Sequence, residues 1–86
     1  MRMNAKKRRT FAAVFAKPVP SGIQWAAIES LLMALGCTVM EGNGSRVRFT
    51  CRGVVASFHR PHPQKEAKQY QVRDARDFLD KIGARP

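Results

Sequence analysis

Two histidines, His59 and His62, stand three residues apart in the segment Phe58-His59-Arg60-Pro61-His62-Pro63, with Arg46 and Arg48 upstream and Arg60 between them. An imidazole titrates near pH 6.5, so it can take or return a proton close to neutrality. A guanidinium grips phosphate oxygens through two parallel hydrogen bonds and steadies negative charge as it develops. Together these groups could help a ribose 2′-hydroxyl attack its own phosphodiester: one removes the proton, the others hold the phosphorane. Such chemistry cuts RNA, spares DNA and requires no metal. Two imidazoles alone fall short of a metal site. Cys37 and Cys51 show no framework spacing and read as small core fillers, although the spacing does not say whether they touch. A His-x-x-His bracketed by prolines is also a common surface feature, so the residues leave both RNA cleavage and plain RNA binding open.

A hairpin must position these groups. The run Arg46-Val47-Arg48-Phe49-Thr50-Cys51 alternates charge with hydrophobe, as a half-buried strand does, and Val54 to Phe58 forms another strand. With Arg52-Gly53 as a two-residue turn, Cys51 faces Val54, Phe49 faces Ala56 and Val47 faces Phe58 on one buried face. Thr50–Val55, Arg48–Ser57 and Arg46–His59 then pair on the other face. A slip of one residue would bury arginines, so burial sets the register. Arg46 and His59 become cross-strand neighbours with β-carbons roughly 5 Å apart. Arg48 stands beside them, and Arg60 and His62 follow in the loop, gathering the cationic groups at one end of the open face.

The other elements complete a small domain. Residues 4–16 carry Phe11, Val14 and Phe15 on one helical stripe and Lys6, Lys7, Arg8 and Arg9 on the polar side. Pro18 and Pro20 end that helix. Ser21 is placed to cap a second helix, in which Trp25, Ile28, Leu31, Leu32 and Leu35 recur at helical spacing before Gly36. Residues 37–41 read as a strand and Gly42-Asn43-Gly44-Ser45 as a turn. The segment 59–69 is a loop, and from Gln71 the face Val72, Ala75, Phe78, Leu79 and Ile82 predicts a last helix stopped by Gly83. The order α-α-β-β-β-α predicts an α+β fold: a three-stranded antiparallel sheet with helices on one face and solvent on the other.

Eighty-six residues, 44% hydrophobic, suit one domain spanning 1–86, with a basic helix and linker over 1–20 and a core over 21–83. So small a core leaves any active site open on the surface. Sixteen lysines and arginines against six acidic residues give a net charge of +10, which calls for an acidic partner, RNA first among the candidates. No apolar run approaches the roughly 20 residues of a membrane span. The apolar stretch after Arg9 is too short for a secretion signal, so a soluble cytoplasmic protein without a membrane partner is expected.

Three segments in order carry a resemblance: Ile23-Gln24-Trp25-Ala26-Ala27-Ile28-Glu29-Ser30-Leu31-Leu32, then Gly42-Asn43-Gly44-Ser45-Arg46-Val47-Arg48-Phe49, then Phe58-His59-Arg60-Pro61-His62-Pro63. Over about 6–83 the chain resembles the HicA family of toxins, in a branch with a basic N-terminal extension. The resemblance implies a double-stranded-RNA-binding-like fold and an endoribonuclease activity of the messenger RNA interferase kind. It also implies a HicB-type antitoxin partner, while the 2′-hydroxyl chemistry itself calls for no small-molecule cofactor or metal. The family's catalytic histidine lies just after the Gly-Ser that opens the second strand, and here that position is Arg46.

The site expected from these readings has His59, Arg46 and His62 as the catalytic set. Ser45, Arg48, Arg60 and the cluster Lys6, Lys7, Arg8 and Arg9 would bind RNA. Because Arg46 replaces the family histidine, a second reading stays open: an RNA-binding module that interferes with translation without cutting. A third is a subunit whose basic face serves only an acidic protein.

Overall fold

Burial on one face drives the central hairpin, as the alternation in β2 requires. In the computed structural model, which describes residues 3–86, the elements run α1 (Ala5–Phe15), α2 (Trp25–Ala34), β1 (Thr38–Glu41), β2 (Arg46–Cys51), β3 (Val54–His59) and α3 (Gln69–Lys81). The strands form one antiparallel sheet in the order β1-β2-β3. The β2–β3 register is the expected one, from Cys51 opposite Val54 to Arg46 opposite His59. β1 adds Val39 opposite Phe49 and Met40 opposite Arg48. The fold is α+β in the order α-α-β-β-β-α, with the apolar faces of the helices gathered on one side of the sheet.

The core is the meeting of those faces. Val47, Phe49, Cys51 and Phe58 from the sheet are buried with Trp25, Ile28, Leu31 and Leu32 of α2 and Val72, Ala75, Phe78 and Leu79 of α3. Phe58 packs between Trp25 and Phe49, with ring centroids 5.1 and 6.2 Å away. Each such side chain contributes on the order of 2 kcal/mol by leaving water. α1 joins this layer through Phe11 and Val14. Its C-terminal carbonyls are held from α3, where Arg76 Nε donates to the Val14 carbonyl at 2.9 Å and Nη2 to the Ala16 carbonyl at 3.0 Å. The extension is thus a fixed part of the molecule.

Helix ends follow the expected glycines at two places and depart from expectation at one. Gly36, at φ +91°, lets Cys37 N–H reach the Leu32 carbonyl while its own N–H reaches Met33, so the last turn of α2 closes on itself. Gly83 does the same for α3. Ser21 does not cap α2. The chain before Trp25 is drawn out to pair with the loop ahead of α3: Trp25 N–H donates to the Lys65 carbonyl at 2.9 Å, and Ala67 N–H to the Ile23 carbonyl at 2.8 Å. That bridge makes Gln24 the residue at the helix entrance and satisfies the first amide with backbone, which leaves Ser21 exposed and outside the helix. α3 begins two residues ahead of the expected Gln71.

The Arg52-Gly53 turn places both residues at positive φ, 53° and 78°, the conformation whose twist matches paired strands. An arginine there carries about 1 kcal/mol of backbone strain. Its side chain gives something back, because Nη1 donates to the Ile82 carbonyl at the end of α3. The hairpin tip is thereby fastened to the last helix.

Candidate nucleic-acid interface

Alternation along three strands sorts side chains between the two faces. With Val47, Phe49 and Phe58 turned inward, the outward rows are Arg46–His59, Met40–Arg48–Ser57 and Thr38–Thr50–Val55. No helix covers them. At the end of the sheet nearest the Gly42–Ser45 turn, a shallow depression of about 330 Å³ is lined by Met40, Asn43, Arg46, Arg48, Ser57 and His59, among others. Two guanidinium groups and one imidazole therefore share an open concave surface, as the hairpin register predicts.

The charges of this surface are unspent. The ion pairs among the described residues are those of Arg60 with Glu29 and Glu41, and of Arg85 with Asp80. Arg46 and Arg48 take part in none of them, so both remain available to an anion from solution. Ser45 Oγ lies 3.5 Å from His59 Nδ1, the outer edge of hydrogen-bond range.

Arg60 is placed differently. One residue beyond His59, it points to the helix side, where its guanidinium makes two bidentate contacts. Nε and Nη2 donate to Glu29 of α2 at 2.7 and 3.1 Å. Nη1 and Nη2 donate to Glu41 of β1 at 2.6 and 3.0 Å. The hydrogen bonds from Arg60 hold the Glu41 carboxyl below its ordinary value, and those to Glu29 and then Glu41 push the guanidinium pKa up. The structure does not bring this charge to the open face. His62 lies exposed in the proline-bracketed loop, outside the depression that His59 lines. Lys6, Lys7, Arg8 and Arg9 sit on α1 in the helical layer, away from the open face of the sheet.

What sequence reasoning missed is the scaffold behind His59. Gln71, a buried polar residue of α3, donates from Nε2 to the His59 carbonyl at 2.6 Å and accepts the Lys68 amide at 2.8 Å. Arg60 N–H donates to the Ser45 carbonyl at 2.8 Å. With the two carboxylates on Arg60, the backbone around the exposed imidazole is tied to α2, β1, α3 and the start of β2. One signal was available: in a strand with Phe58 inward and His59 outward, residue 60 faces inward, and a buried arginine calls for carboxylates.

Among the described residues no group of three or more His, Cys, Asp or Glu is placed to hold a metal ion. Cys37 and Cys51 are free, buried and in contact, and burial and then the hydrogen-bond contact with Cys51, which favours the neutral thiol, push the Cys37 thiol up to about 12. No helix among the described residues is long and apolar enough to cross a membrane.

These features define a class: a small cationic α+β protein whose helices shield one face of a short sheet and leave guanidinium and imidazole groups on the other. Residues 25–83 match the family model described as the HicA toxin of bacterial toxin–antitoxin systems, and the chain belongs to that family. Membership makes it the toxin half of such a pair and gives it an antitoxin as partner. No curated protein and no solved structure matches the chain.

Proposed function

We propose that the protein is an endoribonuclease of the messenger RNA interferase kind, working in the cytoplasm and held in check by a HicB-type antitoxin. One observation carries the reading: Arg46 and His59 face each other on the uncovered side of the sheet, with Arg48 beside them and with no carboxylate paired to either arginine.

In this mechanism the phosphate backbone of RNA lies in the depression, its oxygens held by Arg46 and Arg48. His59 removes the proton from a 2′-hydroxyl, and that oxygen bonds to the adjacent phosphorus. The bond from phosphorus to the 5′-oxygen breaks, and that oxygen takes a proton from an imidazolium or from water. The products are a 2′,3′-cyclic phosphate and a 5′-hydroxyl end. Arg46 and Arg48 stabilise the negative charge of the phosphorane. The scaffold of Arg60 and Gln71 keeps the imidazole in place without touching RNA. His62 is the second candidate for the proton transfers, brought in by movement of its loop. The nucleophile belongs to the substrate, so no metal or small-molecule cofactor is called for.

A second reading has its own support. The position after Gly44-Ser45 carries Arg46 in place of the family's histidine, so this chain fits an RNA-binding module that blocks translation without cutting. In that case Ser45, Arg46 and Arg48 bind RNA, and affinity falls steeply with salt as counterions are released. Incubation of the purified protein with RNA in chelator separates the two. Fragments ending in cyclic phosphate, lost in His59→Ala, support the endoribonuclease; retarded but intact RNA supports the binding module.

A further inference from the structure

α1 lies outside the residues shared with the family, and it builds one wall of a groove on the helical side of the molecule. The other wall is the outer face of α2. The groove, about 650 Å³, is floored by Trp25, Ala26, Met33 and Ala34 and bounded by Lys7. It continues past Ala26 and Ser30 into a second depression of about 500 Å³ that is bounded by Lys6 and Lys7. Met33 is 53% exposed, one of the few large hydrophobic side chains that water reaches. The ten residues of α2 extend about 15 Å, room for roughly three turns of a partner helix.

The charge of this groove is one-sided. Among the described residues Glu29 is the only carboxylate lining either depression, and both its oxygens are occupied, by Arg60 and by the Trp25 indole N–H. Lys6 and Lys7 are in no ion pair among the described residues. The first depression is therefore mostly apolar on its floor, the second adds the polar side chains of Asn4, Thr10, Gln24 and Ser30, and the rim is positive. RNA fits the rim but not the mostly apolar floor of the first depression, where Met33 and the two alanines offer nothing to sugar and phosphate. An amphipathic protein helix with carboxylates along the border of its apolar face fits both.

We propose that this groove is an antitoxin contact, which receives an acidic amphipathic helix of the antitoxin. It lies on the side of the molecule away from the open sheet face, so its occupant does not compete with RNA for Arg46, Arg48 and His59. Because α1 is added to the family core and is fastened to it by Phe11, Val14 and Arg76, the contact selects the cognate antitoxin over those of toxins lacking the wall. The inference needs only the family membership and stands whether or not His59 cuts RNA.

The test uses the full-length protein and its purified cognate antitoxin. Ala26→Glu with Met33→Glu places negative charge on an exposed part of the floor and leaves the core and the sheet face untouched. The expected result is a fall of at least tenfold in antitoxin affinity, with RNA binding and unfolding temperature unchanged. Lys6→Glu with Lys7→Glu is expected to weaken the complex most at low salt, as the loss of exposed charge pairs requires. Wild-type antitoxin affinity in the Ala26→Glu, Met33→Glu variant would overturn the proposal. So would variants that bind the antitoxin normally but no longer retain RNA, since the groove would then be an RNA surface.

Discussion

The sheet treats positive charge in two ways. On the helix side Arg60 is paired twice over, its guanidinium shared between Glu29 and Glu41. On the open side Arg46 and Arg48 have no acidic partner, although Glu41 is close enough to line the same depression. His59 and Arg60, adjacent in the chain, fall on opposite sides of this divide. A paired charge stabilises the fold and presents little to a ligand. An unpaired one stabilises nothing locally and waits for an anion from outside. A net charge of +10 is a cost to compactness that becomes useful only where the charges are left free.

The comparison breaks first on activity. His59→Ala removes the proposed base and is expected to lower RNA cleavage by roughly 10²–10⁴-fold, with little change in unfolding temperature. Arg46→Ala should lower it less, by about 10-fold to 100-fold, and reduce the salt dependence of RNA binding by about one phosphate contact. Gel analysis of RNA fragments and a thermal melt of each variant check both halves. If His59→Ala melts much lower than wild type, the open face is structural and the contrast with Arg60 disappears.

Arg60→Met should give the opposite pattern, with stability lost first. It strands Glu29, which is largely shielded, against the core. About 1–2 kcal/mol is expected once the third of the guanidinium that water reaches is discounted, or roughly 5–10 °C in Tm. Acid sharpens the point. The Glu41 carboxyl is held low by the hydrogen bonds from Arg60, so its contribution is present above the ordinary carboxylate range and is lost as pH falls through the lowered value. Wild type should therefore lose more stability between pH 5 and pH 3 than Arg60→Met does, as followed by thermal melts across that range.

The hairpin could be read from residues alone because its two faces differ so sharply. Val47, Phe49 and Phe58 tolerate one register, and that register alone brings Arg46 to His59. The glycines at 36 and 83 were equally legible, since only a left-handed residue closes those helix ends. The entrance to α2 was not. Ser21 is a good cap in isolation, but the chain before Trp25 is spent on pairing with Lys65 and Ala67, and a contact forty residues away leaves no local mark. Arg60 was partly legible. Strand parity points it inward, but the loop beginning at Pro61 obscures where the strand's influence ends.

Smaller effects come from the hairpin tip, a third treatment of positive charge in which a guanidinium meets carbonyl dipoles instead of a carboxylate. Arg52→Ala keeps the strained φ and loses the hydrogen bond to the Ile82 carbonyl, a cost of about 1 kcal/mol. Arg52→Gly loses the same bond but relieves the strain, and should be milder by about 1 kcal/mol. Equal losses in the two variants, measured by urea unfolding, would mean that the turn carries no strain.

Charge that is never allowed to form gives the smallest effect. Burial and Cys51 push the Cys37 thiol up to about 12, while in the unfolded chain it ionises near 9. Below that unfolded value the thiol is neutral in both states and costs nothing. Above it the unfolded state loses the proton first, so stability declines as pH rises from about 9 towards 12. Cys37→Ala should flatten this alkaline decline by a few tenths of a kcal/mol up to pH 9.5, read as a difference in urea midpoint between the two proteins. At pH 8 the folded wild type should resist alkylation at this thiol and react only after denaturation. Fast labelling of the native protein at neutral pH would show a thiolate inside the core, and would mean that burial does not keep this thiol neutral and shielded.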